Sequence, residues 1–241
     1  MRPVGLLRPG ALRRGALRRA ARRRGYEAAK RATDIAVAVA GLTVTAPLSA
    51  FDAWRIKRED GGPVCYRGLR VGRHGVVFPM LKFRTMVVDA ARRGGDSTAA
   101  DDPRLTRTGQ WLRRWKLDEL PNLVNVLRGE MTLVGPRPQV EWDVARYTAR
   151  ERHLLDVRPG ITDWASIAFR NEGDIIAGDD PDRAYDELVR PRKIELGLAY
   201  VEHRGFGTDL RILLLTALAV VGHPRIDELL ERALPPARDH V

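Results

Sequence analysis

A single cysteine, Cys65, occurs in 241 residues. That excludes an internal disulfide and any cysteine-based zinc cluster, and it agrees with a reducing compartment. Histidine is scarce too: His74, His153, His203, His223 and His240 never fall at metal-ligand spacing. Aromatic residues make up only 6% of the chain while charged residues make up 30%, which excludes a multi-span membrane protein. There is no Walker A run, no G-x-G-x-x-G after a strand and no G-x-S-x-G elbow. Neither standard nucleotide cradle nor a serine nucleophile is therefore supported, and catalysis falls to carboxylates and arginines. With 22 Gly and 15 Pro the chain is neither collagen-like nor broadly disordered. A hydrophobic fraction of 44% supplies a core for one large or two small domains.

What is abundant is positive charge, +11 net, and it is unevenly placed. Residues 1–33 carry eleven basic side chains and one acid, Glu27, a local net of +10. The remaining 208 residues carry a net of +1. A basic arm on a nearly neutral body is the wrong shape for a DNA-reading face unless it folds on binding. Anionic lipid is an equal candidate, at about 1 kcal/mol per basic residue near the surface, and the partner expected is lipid with no nucleic acid. A solvated arm is the plain alternative, and Gly5, Gly10, Gly15 and Gly25 argue against a stable helix there. No clear small-residue cleavage site follows, so removal as a signal peptide is not expected.

One long uncharged run exists, Ile35 to Phe51. As a straight helix it would reach about 26 Å, against roughly 30 Å of hydrocarbon. Pro47 sits inside it and removes a helical hydrogen bond. Lys30 and Arg31 precede it; Arg55, Lys57 and Arg58 follow. Basic residues favour the cytoplasmic side, and a straight span cannot put both flanks there. A helix that enters, bends at Pro47 and returns can, with Thr43, Thr45 and Ser49 covering freed carbonyls. A buried soluble helix and an ordinary span stay open at this point.

Downstream, Val64–Arg67 and Val76–Met86 around Gly72–Gly75 read as a hairpin, with Pro79 restricting the second strand to an edge or bulge. Residues 92–108 form a polar loop. Gln110–Lys116 and Pro121–Leu127 read as helices, the second stopped by Gly129. Met131–Val134 is a short strand entering Gly135-Pro136-Arg137-Pro138. The spacing predicts helix over Gln139–Asp156, an acidic loop over 171–181, helix over Asp182–His203 interrupted at Pro191, and a helix too short to span over Leu210–Val221.

The densest chemistry lies at Leu117-Asp118-Glu119-Leu120-Pro121-Asn122. Pro121 suits a first helical turn, which puts Asp118 and Glu119 beside unpaired N–H groups. Capping alone is the bland explanation. Yet Arg113 and Arg114 precede the pair, and Lys82-Phe83-Arg84 and Arg137 flank it in sequence. Two carboxylates amid so many cations point to an anionic substrate with a divalent metal.

Taken in order, these segments resemble the bacterial sugar transferases, the short monotopic polyprenyl-phosphate phosphoglycosyltransferases. The resemblance rests on Lys30-Arg31-x-x-Asp34, Pro47, Lys82-Phe83-Arg84-Thr85-Met86 and Asp102-Pro103-Arg104-Leu105-Thr106-Arg107-Thr108-Gly109. It continues through Leu117–Pro121, Asn125–Met131, Val134–Pro138 and Arg158-Pro159-Gly160-Ile161-Thr162, about residues 28–220 in all. It implies that Asp118 is the nucleophile toward the β-phosphate of a UDP-sugar donor, with Glu119 assisting and both carboxylates holding Mg²⁺. Polyprenyl (undecaprenyl) phosphate would be the acceptor. Lys82, Arg84, Arg113 and Arg137 would contact phosphate, because guanidinium forks match phosphate oxygens; salt bridges explain Arg84 and Arg104 equally well.

The implied fold is α+β and mostly helical: a compact cytosolic domain with a re-entrant membrane helix broken at Pro47 and interfacial amphipathic helices, Leu210–Val221 among them. The divisions are a disordered basic extension over 1–27, the membrane helix over 28–60, the catalytic domain over 61–224 and a tail over 225–241. The implied location is the cytosolic face of the bacterial inner membrane, and a homodimer is left open. Three positions depart from the family pattern: Ala46 where Ser often precedes Pro47, Asn122 for Gln, and Asp163-Trp164-Ala165-Ser166 for Gly-Trp-Ala-Gln. Two other readings compete. One is a metal-dependent glycosyltransferase that releases UDP, using Asp180-Pro181-Asp182. The other is a non-enzymatic binder acting through the basic arm.

Overall fold

The structure is a computed structural model that describes residues 9–93, 102–177 and 180–235, with backbone alone over 9–22. Much of the polar loop expected over 92–108 lies outside the described residues. The chain is mostly helical, with two small sheets. Helix α1 (Pro9–Asp60) is followed by the antiparallel hairpin β1 (Cys65–Val71) and β2 (Val77–Phe83). Then come α2 (Arg107–Arg114), α3 (Asn122–Arg128), β3 (Thr132–Val134), α4 (Glu141–Ala145) and β4 (Gly160–Thr162), which pairs in parallel with β3. Helices α5 (Trp164–Ala168), α6 (Glu172–Ile175), α7 (Pro181–Ala184), α8 (Arg190–His203), α9 (Phe206–Val220) and α10 (Ile226–Ala233) complete the order.

Local chemistry sets most boundaries. Thr106 Oγ1 accepts from Gly109 N at 2.9 Å and starts α2. Gly129, at φ 83, ends α3 as the sequence predicts. Pro79 sits opposite Leu69 in a two-stranded sheet, where both strands are edges. Trp164, Ile167, Leu196, Tyr200 and Ile212 form the main core with β3, and Ile226 and Leu230 join it from α10. Residues 226–233 are thus a packed helix where the sequence suggests a tail.

Other expectations change as well. Helix over Gln139–Asp156 is interrupted after α4, because Thr148 and Glu151 bond each other reciprocally (Thr148 N to Glu151 Oε2, 2.7 Å) and restart the chain as a 3-10 turn. The acidic loop over 171–181 contains α6 and the start of α7. Pro191 does not break its helix: it lies in the first turn of α8, preceded by a π-helical turn, Tyr185–Val189. Helix α1 begins at Pro9, where the glycines predict no stable helix. Alanine and arginine, both strong helix formers, outweigh them. The helix also runs unbroken through Pro47. Thr43 and Thr45 donate to Val39 O and Gly41 O, one turn back, rather than bridging a break.

Helix α1 is fastened to the body at both ends. At the first, Lys30 donates to Asp209 (2.8 Å), and Arg31 covers the C-terminal carbonyls of α3, Val126 O and Leu127 O. The buried Asp34 accepts from Thr132 Oγ1 (2.5 Å) and Leu133 N (3.2 Å). At the second, Glu59 accepts from Arg107 N and Thr108 N at the start of α2, and Asp60 pairs with Arg84. Between the two anchors the apolar window is only 11% buried, and Val44 is 78% exposed. Ala38 and Ile56 do pack on the body, beside β2 and α2. Asp52 is fully buried, and neither of its carboxylate oxygens finds a hydrogen bond among the described residues.

Removing a buried carboxylate that accepts two hydrogen bonds leaves Thr132 and Leu133 N unsatisfied. Asp34→Ala is expected to cost about 3 kcal/mol. Thermal melting in detergent checks this; an unchanged midpoint would mean that the anchor carries no stability.

Candidate active site

The acidic pair sits in a 3-10 turn, Leu117–Glu119, wedged between α2 and α3. Lys116 enters the turn in the left-handed region (φ 55), an uncommon conformation for a side-chain-bearing residue. Pro121 stands at the N-cap of α3, so the acids precede the helix entrance as expected.

The two carboxylates have different surroundings. Glu119 is gripped: Lys82 Nζ reaches Oε1 at 2.9 Å, and Arg137 pairs with both oxygens. Asp118 is buried, and among the described residues no hydrogen bond or ion pair reaches its carboxylate. Burial opposes ionisation of Glu119, but Arg137 and Lys82 outweigh it and hold that carboxyl far below the usual range. Burial pushes Asp118 upward, and the neighbouring Glu119 charge adds to it; Lys82, Arg137 and Arg113 oppose without prevailing. Two adjacent acids are thereby driven apart, the usual basis for a division of roles. The Arg113 side chain makes no hydrogen bond or ion pair among the described residues, so its guanidinium is available beside Asp118.

The scaffold explains these positions. Asn125, fully buried, accepts from Leu81 N (3.0 Å) and donates to Pro79 O (2.8 Å) and Glu130. It straps β2 to α3 and so aims Lys82 at Glu119. Arg137 follows the β3 turn, where Gly135 N donates to Thr162 O and Gly160 N to Pro136 O, both at 3.0 Å. Asp163 accepts from Arg137 N at 3.3 Å while capping α5 through Ser166. The Asp163 and Ser166 departures are therefore matched to one another as a helix cap. Sequence reasoning passes over Asn125 and Asp163 as site supports; a buried polar residue inside an apolar pattern is the signal that marks them. Asn122 is fully buried with both side-chain polar atoms unpartnered; nothing in the structure explains that substitution.

The structure brings Lys82, Arg113, Asp118, Glu119 and Arg137 together. It does not bring Arg84: that guanidinium is consumed by Asp60, Pro63 O and Met86 O at the far end of α1. Arg104 likewise pairs with Asp102. Pro47 lies within α1, far along the chain from the acids. Asp180 caps α7 through Arg183 N (3.0 Å), an ordinary role for an acid before a proline. No cluster of three metal-ligating side chains exists among the described residues. Magnesium, however, usually takes one or two carboxylates and completes its shell with water and substrate phosphate. The open Asp118 carboxylate beside Glu119 fits that donor set.

The profile described as Bacterial sugar transferase matches residues 25–223. The chain is similar to the sugar transferase EpsL of Bacillus subtilis (strain 168), 35% identical over 192 residues, covering 80% of this chain and 87% of that one. It is similar to the undecaprenyl-phosphate glucose phosphotransferase of Komagataeibacter xylinus, 39% identical over 202 residues, 78% of this chain and 35% of the relative. It is also similar to the undecaprenyl-phosphate galactose phosphotransferase of Salmonella typhimurium, 34% identical over 207 residues, 80% of this chain and 40% of the relative. The chain thus spans less than half the length of these two longer relatives. Because the match runs from the base of α1 past α9, through the acidic turn and the β3–β4 turn alike, the chain belongs to the bacterial sugar transferase family.

Proposed function

We propose that the chain is a phosphoglycosyltransferase that moves a sugar 1-phosphate from a UDP-sugar to polyprenyl phosphate at the start of surface polysaccharide assembly. The observation that carries this reading is the buried, unpartnered Asp118 carboxylate amid Lys82, Arg113 and Arg137. Several relatives are named for the same class of transfer, glucose or galactose phosphate to undecaprenyl phosphate.

An Asp118 oxygen attacks the sugar-bearing β-phosphorus. The bond from that phosphorus to the bridging oxygen breaks, and UMP departs with the electron pair. The resulting aspartyl phosphosugar is attacked at the same phosphorus by an oxygen of polyprenyl phosphate. The bond to Asp118 breaks, the carboxylate is restored, and polyprenyl diphosphate-sugar forms. A carboxylate is a weak nucleophile toward a polyanion unless cations neutralise it. Lys82 and Arg137, which hold Glu119 in the resting site, would receive diphosphate oxygens, and Arg113 would add a further fork. Asp118 and Glu119 would hold Mg²⁺, which when bound would offset diphosphate charge. Dividing the transfer lets a water-soluble donor and a lipid acceptor use one site in turn.

Membrane seating supports the same reading. One described helix is long and apolar enough to cross a bilayer, but both ends of its apolar stretch are bonded to one body. A straight crossing would separate those flanks, so a re-entrant, monotopic seating on the cytosolic face fits better, which would require α1 to bend at Pro47 without breaking its helix. Phe51 stacks on Trp54, Arg58 lies 5.0 Å over Trp54, and Arg55 lies 4.9 Å over Trp111, the amphipathic chemistry of a headgroup layer. On α9, Ile212 and Leu215 face the core while Phe206, Leu210 and Leu214 form an exposed apolar row suited to lie in the interface.

Purified protein with polyprenyl phosphate, Mg²⁺ and a panel of UDP-sugars is expected to release UMP. Release of UDP instead would favour plain glycosyl transfer. Deletion of residues 1–24 is expected to retain the chemistry, whereas a binder acting through its basic arm would lose all function. For topology, Ala29→Cys and Arg58→Cys, each alone in a Cys65→Ser background, are both expected to react with a membrane-impermeant thiol reagent added from the cytosolic side. Labelling from opposite sides would establish a straight span.

A further inference from the structure

A second polar cluster lies within electrostatic reach of Arg137 and is given no role in the transfer just described. Lys193, on the first turns of α8, has only 11% of its side chain exposed. Its ammonium pairs with Glu172 of α6 and lies 5.0 Å from the ring centroid of Tyr185 and 5.9 Å from that of Phe169. Phe169 ends α5, six residues beyond Asp163, which holds Arg137 N. Tyr185 opens the π-helical turn, a distortion frequent at functional sites.

A buried ammonium wants three acceptors. Among the described residues one hydrogen bond is made, to Glu172 Oε2. Tyr185 Oη, half-buried, has no hydrogen-bond partner among them. The positive charge of Arg137 acts on both Lys193 and Tyr185, which puts the cluster within electrostatic reach of the phosphate-binding cations. Two aromatic rings, each with one face toward the ammonium and the other left for a ligand, an under-used ammonium, a carboxylate and a phenol with no hydrogen-bond partner among the described residues therefore converge within electrostatic reach of Arg137. Aromatic rings stack on the C–H faces of a pyranose, and ammonium–carboxylate pairs satisfy neighbouring hydroxyls. A uracil ring would use the same groups differently, N3–H to the carboxylate and a carbonyl oxygen to the ammonium, so inhibition by UMP is the measurement that separates the two ends of the donor.

We propose that Phe169, Glu172, Tyr185 and Lys193 form the subsite for the hexose ring of the nucleotide-sugar donor and select which sugar is transferred. The assignment rests on the phosphoglycosyltransferase reading.

The test uses the full chain with polyprenyl phosphate, Mg²⁺ and a panel of UDP-sugars, following UMP release, with UMP itself as a product inhibitor. Lys193→Met is expected to raise KM for the preferred donor about tenfold or more and to flatten the preference across the panel. It should leave kcat within about threefold and UMP inhibition unchanged, since UMP lacks the sugar. Tyr185→Phe keeps the ring under the ammonium and is expected to shift preference between epimeric sugars with an unchanged melting point; it keeps the test open should Lys193→Met fail to fold. UMP inhibition weakening in step with KM would assign the cluster to the nucleoside end and overturn the proposal. Equal losses on every sugar would also overturn it, leaving a structural ion pair. A wild-type chain that releases no UMP would overturn the reaction and the subsite with it, whereas unchanged preference in both variants overturns the subsite alone.

Discussion

Asp118→Asn is expected to reduce UMP release by about 10⁴-fold or more, the scale seen when a covalent nucleophile is removed. The same substitution is expected to raise the melting temperature at neutral pH. Asp118 has its pKa raised by burial, so the folded state prefers the protonated form. The resulting cost is absent below the ordinary carboxylate pKa and complete once the pH exceeds the raised one. An amide removes that cost, so the stability gain should be full near pH 7 and fade on acidification. In the wild type, kcat should fall on the acid side at a higher pH than an ordinary aspartate would give, because only the carboxylate attacks. Labelled donor should leave a trapped adduct on the wild-type chain and none on the variant. Near-wild-type turnover by Asp118→Asn would remove the residue from this role.

Gly160→Ala is expected to harm both fold and chemistry. A methyl there would lie 2.1 Å from Gly135 N and 2.4 Å from Gly135 O, backbone atoms with no flexible end to move aside. The β3 and β4 backbones must separate, which endangers the Gly135 N to Thr162 O and Gly160 N to Pro136 O bonds. We expect a loss of about 3 kcal/mol, or roughly 10 °C in melting temperature for a chain of this size. Arg137 lies two residues past Gly135, so a displacement of about 1 Å should cost on the order of 10²-fold in turnover, measured where the variant is still folded. Gly205→Ala, with no neighbouring atom within 4 Å, is the matched control: as the N-cap of α9 it should cost no more than about 1 kcal/mol and leave turnover unchanged.

Legibility in the sequence followed the range of the forces involved. The hairpin, α2, the Gly129 stop and the acidic turn before Pro121 were readable because a few adjacent residues dictate them. Strand β4 and helix α5 carry no local signal: three residues of β4 are too few for a period, and they form a strand only because β3 lies alongside. Arg84 shows the limit for the site. In sequence it is one more cation near Lys82, and only the fold reveals Asp60 waiting for it. Lys193 shows the converse, because its neighbours Glu172, Tyr185 and Phe169 come from three separate segments. The long helix was legible in composition but not in course. The pattern gave a break at Pro47, whereas the backbone tolerates that residue within a continuous helix.

The fastening of α1 at both ends also sets an order of assembly. Asp34 must wait 98 residues for Thr132, and Lys30 waits 179 for Asp209. During synthesis the apolar stretch therefore leaves the ribosome long before anything exists to hold its first end, and the bilayer is the earliest partner it meets. In the proposed membrane seating the globular part would close over a segment already dissolved in lipid, so docking to the membrane would be a step in the maturation of this polypeptide rather than an event that follows it.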